Sequence, residues 1–172
     1  MERPNASYLA SVFAGFAAGT ISFAARGSGG GMSPQDFVTL ATQVGMGEVE
    51  LGKVALEKSS DPQVLQFAQR MIADHGQANE ELVGIATKEG LAVPTIPGPA
   101  TTAASKELES LSGAEFDSAY MNRMVEGNSA AVELFASAAW ISDRVLAVFA
   151  RRKLPIIKEH KTIAVRINAQ LA

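Results

Sequence analysis

The sequence predicts an all-α domain made of four long helices joined as two hairpins. Three observations lead there. Apolar residues return every three or four positions along four long stretches, the period of a helix with one buried face. Each stretch opens on a Ser or Asp start signal, two of them followed directly by Pro, and the second is closed by Gly. The composition also suits helices: aromatics make up 6%, and there is no cysteine among the 172 residues. At 47% hydrophobic and this length, one domain buries roughly 70% of its unfolded surface and needs no staples.

The elements follow in order. Ser33-Pro34-Gln35-Asp36 places a cap, a proline at the first helical position and an acid in the first turn, and the first helix is expected over about 34–59. Asp61-Pro62 repeats the signal for a second helix over about 62–89, stopped by Gly90. Residues 91–104 hold three prolines and no charge and read as an extended crossover, followed by a short helix from Lys106 to Leu111. Ser112 and Glu115 have capping-box spacing ahead of a third helix over about 114–140. Ser142-Asp143 opens a fourth over about 143–171, which Pro155 should kink or split. Hairpin, long crossover, hairpin is the connectivity of a ferritin-like antiparallel four-helix bundle. The bundle domain is thus expected over 34–172.

The amino end reads differently. Tyr8 to Ala25 is an uncharged, mostly apolar run behind Arg3, and Ser22-Phe23-Ala24 forms a small-x-small site. Residues 1–25 are expected to be a signal peptide, or an uncleaved anchor helix holding the chain to the membrane. Residues 26–33, rich in glycine, are expected to be a flexible linker. Both alternatives place the domain outside the cytosol, in the periplasm or on the membrane facing it.

Several function classes are excluded. Without cysteine there are no disulfides, thiolate nucleophiles, Fe–S clusters or zinc fingers. Two histidines, His75 and His160, exclude a three-His site within one chain. A net charge of −3 argues against a general nucleic-acid binder. The glycines at 27–31 lack the context and lysine of a phosphate loop, and no nucleophile elbow is present. Charge is uneven: residues 36–141 carry fifteen acids and six bases, residues 142–172 two acids and seven bases. A basic last helix packed among acidic ones explains this. The other reading is an anionic-surface or envelope-protein partner at Arg151, Arg152 and Lys153.

The buried seams carry the functional signal. They read Phe37, Ala41, Val44, Glu48, Leu51, Ala55; then Val64, Ala68, Met71, His75, Ala78, Leu82, Ile85; then Met121, Met124, Asn128, Ala131, Phe135, Ala138; then Ile156, His160, Ile163, Ile167. Each has one polar interruption: Glu48, His75, Asn128 and His160. Glu48 and His75 both lie about 20 Å from the first hairpin turn at ~1.5 Å per residue, and Asn128 and His160 lie midway along the second hairpin. The four should converge at mid-height. Buried unpartnered polar groups cost about 1–3 kcal/mol each. They either bond to one another or hold a metal between imidazole and carboxylate. Asp74 is placed to orient His75. Met46, Met71, Met121 and Met124 fill the core, or add thioethers that favour copper. Glu50, Glu126 and Glu133 lie off the seams, on solvated faces. No Glu-x-x-His occurs, since Ile72 and Ile157 hold the i−3 positions, so a usual di-iron carboxylate centre is not encoded.

The segments 48–55, 67–75, 116–120, 131–135 and 154–160 resemble an uncharacterised bacterial family of exported, ferritin-like four-helix proteins. Its members carry a domain of unknown function and are often labelled outer membrane proteins. Met71-Ile72-Ala73-Asp74-His75 is the sharpest piece. The resemblance implies functional positions at Glu48, Asp74, His75 and His160. It also implies an Asp-His pair on the third long helix, where this chain has Gly127-Asn128. Together, residues and resemblance point to an exported bundle binding a single transition metal (Zn, Fe, Mn or Cu). Glu48, His75, His160 and Asn128 would be the ligands, with a possible redox or stress role. The alternative is a non-enzymatic envelope module whose polar cluster only sets helix register.

Overall fold

The computed structural model describes residues 31–171, among which there are five helices and no strand. The expected leader at 1–25 and most of the linker lie outside the described residues. In chain order the helices are α1 (Pro34–Lys58), α2 (Pro62–Lys88), α3 (Pro99–Glu109), α4 (Gly113–Ala138) and α5 (Arg144–Leu171).

Local chemistry explains most boundaries. Ser33 and Asp36 form a reciprocal capping box at the start of α1, and Pro34 needs no amide partner there. Asp61 accepts from the amides of Gln63 and Val64 to begin α2. Gly90, with φ of 68°, ends it in the left-handed region that glycine enters without steric cost. Asp143 caps α5 by accepting from the Leu146 amide at 2.9 Å.

Three expectations are corrected. The crossover is not extended to residue 104: α3 begins at Pro99 and ends at Glu109, because the prolines stop at its first helical position and the Ala/Thr/Ser run beyond is free to coil. Ser112 precedes α4 but makes no side-chain cap, so the Ser112–Glu115 box does not form. Helix α5 runs unbroken through Pro155. That residue is exposed, where water can serve the carbonyl that loses its donor.

Helices α1 and α2 form one hairpin and α4 and α5 the other, with narrower interfaces between α1 and α4 and between α2 and α5. The crossover runs alongside α1. Gln35 bonds the backbone of Ala92, Thr101 faces Gly47, and Lys58 reaches the Glu109 carbonyl at 2.7 Å. Thus the link from α2 to α4 travels the length of the bundle, and Ala104 and Leu108 of α3 enter the core.

That core is in two parts. One gathers Leu51, Phe67, Met71, Tyr120, Met124 and Ile167 with their neighbours. The other gathers Phe37, Leu82, Phe135, Leu146, Phe149 and Ile157 with theirs. In α5 the buried stripe is Ile157, His160, Ala164 and Ile167, with Ile163 partly covered. The expected Ile156 is on the exposed side, a rotation of one residue from the seam read in the sequence.

The α1–α2 contact depends on small residues. A Cβ at Gly52 would lie 2.9 Å from Cγ1 of Ile72 and 3.3 Å from the Ala68 carbonyl. At Gly84, also within a helix, no neighbour lies within 4 Å among the described residues. Gly52→Ala is therefore expected to lower stability by about 1–2 kcal/mol through overpacking. Gly84→Ala should raise it by about 0.5–1 kcal/mol through helix propensity. Urea midpoints of the two variants check this, and a shift of both in one direction would contradict the hairpin packing described.

Candidate functional site

The four seam interruptions lie at the junction of the two core clusters. Glu48 sits between Ala41 and Leu51, His75 between Met71 and Leu82, Asn128 between Met124 and Ala131, His160 between Ile157 and Ala164, with Leu51, Met71, Met124 and Ala164 on one side of the junction and Ala41, Leu82, Ala131 and Ile157 on the other. All four are buried. The hairpin registers agree with this. Gly45 lies against Asn79 and Gly52 against Ile72, which sets Glu48 level with His75. Arg151 bonds the Ala139 carbonyl and Asn168 bonds Asn122, which sets Asn128 within a turn of His160.

The imidazoles of His75 and His160 are neighbours, with ring centroids 5.4 Å apart and planes tilted by 45°. Nε2 of His160 lies 2.8 Å from Oδ2 of Asp74. An ionised carboxylate accepts, so Nε2 carries the proton and Nδ1 keeps its lone pair. The expected pairing is corrected here: Asp74 holds His160, not His75. The rotation of α2 against α5 decides this, since Asp74 points across to α5 while His75, next in sequence, turns inward. Asp74 also accepts from Arg70 at 3.3 Å, and Arg70 pairs with Glu159 at 3.0 Å.

Asn128 donates to the Met124 carbonyl at 3.0 Å and lies 3.9 Å from the Met71 sulfur. Several buried atoms of this layer have no hydrogen-bond partner among the described residues. They are both carboxyl oxygens of Glu48, Nε2 of His75, Nδ1 of His160 and Oδ1 of Asn128. The Tyr120 hydroxyl is in the same position. Sequence reading missed Tyr120 as a polar member, although 120, 124 and 128 step by four along α4. Of the acids placed on solvated faces, Glu126 is exposed, while Glu133 has a buried, unpartnered Oε2 among the described residues.

Burial sets the protonation of the layer. It pushes the Glu48 carboxyl up to about 8, so the group is largely neutral at pH 7. Burial, with the neighbouring His160 assisting, takes His75 down to about 3. Burial also lowers His160, against the opposing pull of Asp74. At Asp74 burial works upward, but the hydrogen bonds from His160 and Arg70 outweigh it and the carboxyl lies below its ordinary value. Tyr120 is pushed well up by burial and by the nearby Glu48.

A cleft opens onto the imidazole pair from between α2 and α5, with an internal volume of about 50 Å³. Asp74, His75, Lys153 and His160 line it together with Ala78 and Phe149. The basic trio expected at the surface is largely engaged. Arg151 holds the Ala139 carbonyl, and Arg152 and Lys153 both pair with Glu81. No three His, Asp or Glu side chains among the described residues are gathered closely enough to enclose a cation. None of the described helices is long and apolar enough to cross a membrane.

Residues 22–167 match the family profile of a domain of unknown function, DUF4142. The chain belongs to that family. No curated protein matches it. Among solved structures, the DUF4142 fold is similar to a DUF305 fragment from Deinococcus radiodurans, with a TM-score of 0.71 at 14% identity over 81% of this chain and 99% of that one. It is also similar to a DUF305 protein from Streptomyces coelicolor, described as a candidate secreted protein. There the TM-score is 0.66 at 16% identity over 81% and 94% of the two chains. At these identities the likeness concerns the fold alone.

The DUF4142 polar layer makes stability depend on pH in both directions. His75 is held neutral, its value depressed from 6.5 to about 3, so its stabilisation is present above 6.5 and is lost as pH falls. Glu48 is held protonated, its value raised from 4.5 to about 8, so its stabilisation is present below 4.5 and is lost as pH rises through 8. Unfolding free energy should therefore be level between pH 4.5 and 6.5, where the two effects cancel, and fall on each side, by at most about 1.4 kcal/mol per pH unit for each proton. Glu48→Gln, which mimics the neutral carboxyl, should flatten the alkaline limb. Urea denaturation from about pH 3 to about pH 8.5 measures both limbs, and an unchanged alkaline limb in Glu48→Gln would argue against a buried neutral carboxyl.

Proposed function

We propose that this DUF4142 domain is an exported, ferritin-like bundle that holds one transition-metal ion between His75 and His160. The observation carrying this is the imidazole pair itself. Each ring presents a buried nitrogen with no partner among the described residues, and the ring centroids are 5.4 Å apart. At metal–nitrogen distances of about 2.0–2.1 Å, two imidazoles on one ion place their centroids roughly 5–6 Å apart. The Asp74–His160 contact has the form of the carboxylate–imidazole pairs that fix the tautomer of metal ligands.

Imidazoles suit zinc, copper and iron, and the Met71 sulfur beside Asn128 favours copper among them. Glu48 and the Asn128 oxygen lie at the same level and would have to be drawn inward to complete the set. A cation would draw Glu48 into its ionised form, so uptake releases a proton and strengthens with pH. Export is supported by the apolar run at 8–25 and by the description of the Streptomyces relative.

A second reading has its own support. No enclosing set of three acidic or imidazole side chains is gathered among the described residues, which favours a layer that only sets helix register. Metal titration of protein purified without an affinity tag separates the two. Near-stoichiometric uptake of Zn²⁺ or Cu⁺ is expected, abolished in His75→Ala and His160→Ala. In Asp74→Asn, which keeps the shape but not the charge, affinity should fall about 10–100-fold. No uptake, with an unchanged melting temperature after each metal is added, would leave the register reading.

A further inference from the structure

We propose that the end of the bundle carrying Trp140 is a docking face for a phospholipid bilayer, with the indole at headgroup level and Val145 and Val148 beside it. This goes beyond the metal reading and does not depend on it.

Trp140 is the only tryptophan of the chain, and it is 82% exposed. It occupies the turn between α4 and α5. The residues on both sides of it are tied down. Ala139 is buried, and Ile141 packs against the core cluster of Phe37, Phe135 and Phe149. The amides of Trp140 and Ile141 donate to the carbonyls of Ser137 and Ala138 at 3.2 and 3.3 Å, and Arg151 holds the Ala139 carbonyl. The indole is thus held out into water from a fixed turn. Val145 and Val148 are half exposed. They stand three residues apart and share one face at the start of α5. A ring with an apolar body and a single N–H donor suits the boundary between lipid and water.

The position of this face within the chain names what covers it. Phe37 of α1 packs on Phe135 of α4 and Phe149 of α5, with ring centroids 5.3 and 6.4 Å apart. Ser33 lies four residues before Phe37, Trp140 five after Phe135 and Val145 four before Phe149. All three are therefore roughly 6–8 Å beyond the phenylalanines, at one end of the bundle. Met32 packs against the same cluster, so α1 is entered from this end. Ahead of it, residues 26–32 connect to the uncharged apolar run of Tyr8 to Ala25. Seven residues reach at most about 25 Å. A bilayer that holds the run is thus brought to the Trp140 end. The opposite end is about 37 Å away along the 25 residues of α1.

A second copy of the chain fits this face less well. A stable dimer buries about 800 Å² on each partner, and a fully covered tryptophan supplies only roughly 150–250 Å² of that. The charges also suit a headgroup layer. Lys88, Arg144 and Arg151 are exposed at this end against Glu89, while Asp36 and Asp143 are engaged as helix caps.

Because Trp140 is the only tryptophan, the emission of the full chain reports on this face alone. The probe is vesicles of phosphatidylethanolamine with a minor share of phosphatidylglycerol. On mixing, the emission should move to shorter wavelength. Lipids brominated near the headgroup should quench it more than lipids brominated near the chain end. The double variant Val145→Glu/Val148→Glu alters only exposed positions. It should lose both the shift and the quenching at unchanged helix content, while still sedimenting with vesicles through the apolar run. Absence of vesicle binding overturns the proposal. Sedimentation with an unshifted emission that bromine does not quench also overturns it, leaving the run as an anchor and the face unused. A short-wavelength emission without lipid that moves to longer wavelength on dilution assigns the face to a second copy and overturns it too. A double variant that behaves as wild type overturns the role given to the two valines.

Discussion

Four long helices each carry a hydrophilic residue into the interior at the same level, and the desolvation of that layer is the constraint from which the rest of the architecture follows. A core of this size could have been apolar throughout. Instead Glu48, His75, Asn128 and His160 separate two hydrophobic clusters. The interior tolerates them because they are not charged. Burial holds Glu48 protonated and both imidazoles neutral, and the ionised member, Asp74, stays near the surface, where His160 and Arg70 share its charge. Neutrality lowers the cost of the layer but does not remove it, since several of its polar atoms have no partner among the described residues.

The two hairpins meet in different ways along their two shared faces. On the α1–α4 side the crossover lies alongside α1 and adds Ala104 and Leu108 to the core. On the α2–α5 side the contact depends on polar pairs: Arg70 with Glu159, Asp74 with His160, and Glu81 with Lys153 and Arg152. Glu81 with Lys153 and Arg152 sets an acid of α2 against bases of α5, which accounts for part of the charge asymmetry of the chain. The polar pairs also leave the layer reachable from outside, since a seam held at intervals packs less closely than a continuous apolar one. The cleft over the imidazole pair is a consequence.

Much of this was legible in the residues. The starts of α1 and α2 followed from Ser33-Pro34 and Asp61-Pro62, and the end of α2 from Gly90, because caps and positive φ are local matters. The interior placement of Glu48, His75, Asn128 and His160 followed from helical periodicity, because the polar interruption and its apolar neighbours lie on one stripe. The start of α3 at Pro99 was obscured by the prolines ahead of it, which mark an extended chain up to the first helical turn and are then compatible with helix. Ile156 was assigned inward and Ile157 lies there instead, because two adjacent isoleucines differ by one step of rotation that periodicity alone does not resolve.

From its own residues the chain determined the helices, their caps, the two-hairpin plan and the depth of the polar layer, all of which depend on neighbours a few positions away. Only the tertiary structure decided that Asp74 holds His160 and not the adjacent His75, that Tyr120 joins the layer, and that a cleft between α2 and α5 opens onto the imidazoles. Those outcomes depend on how α2 and α5 are rotated and spaced against each other. Contacts from the whole bundle set that relationship, and no short stretch of sequence encodes it.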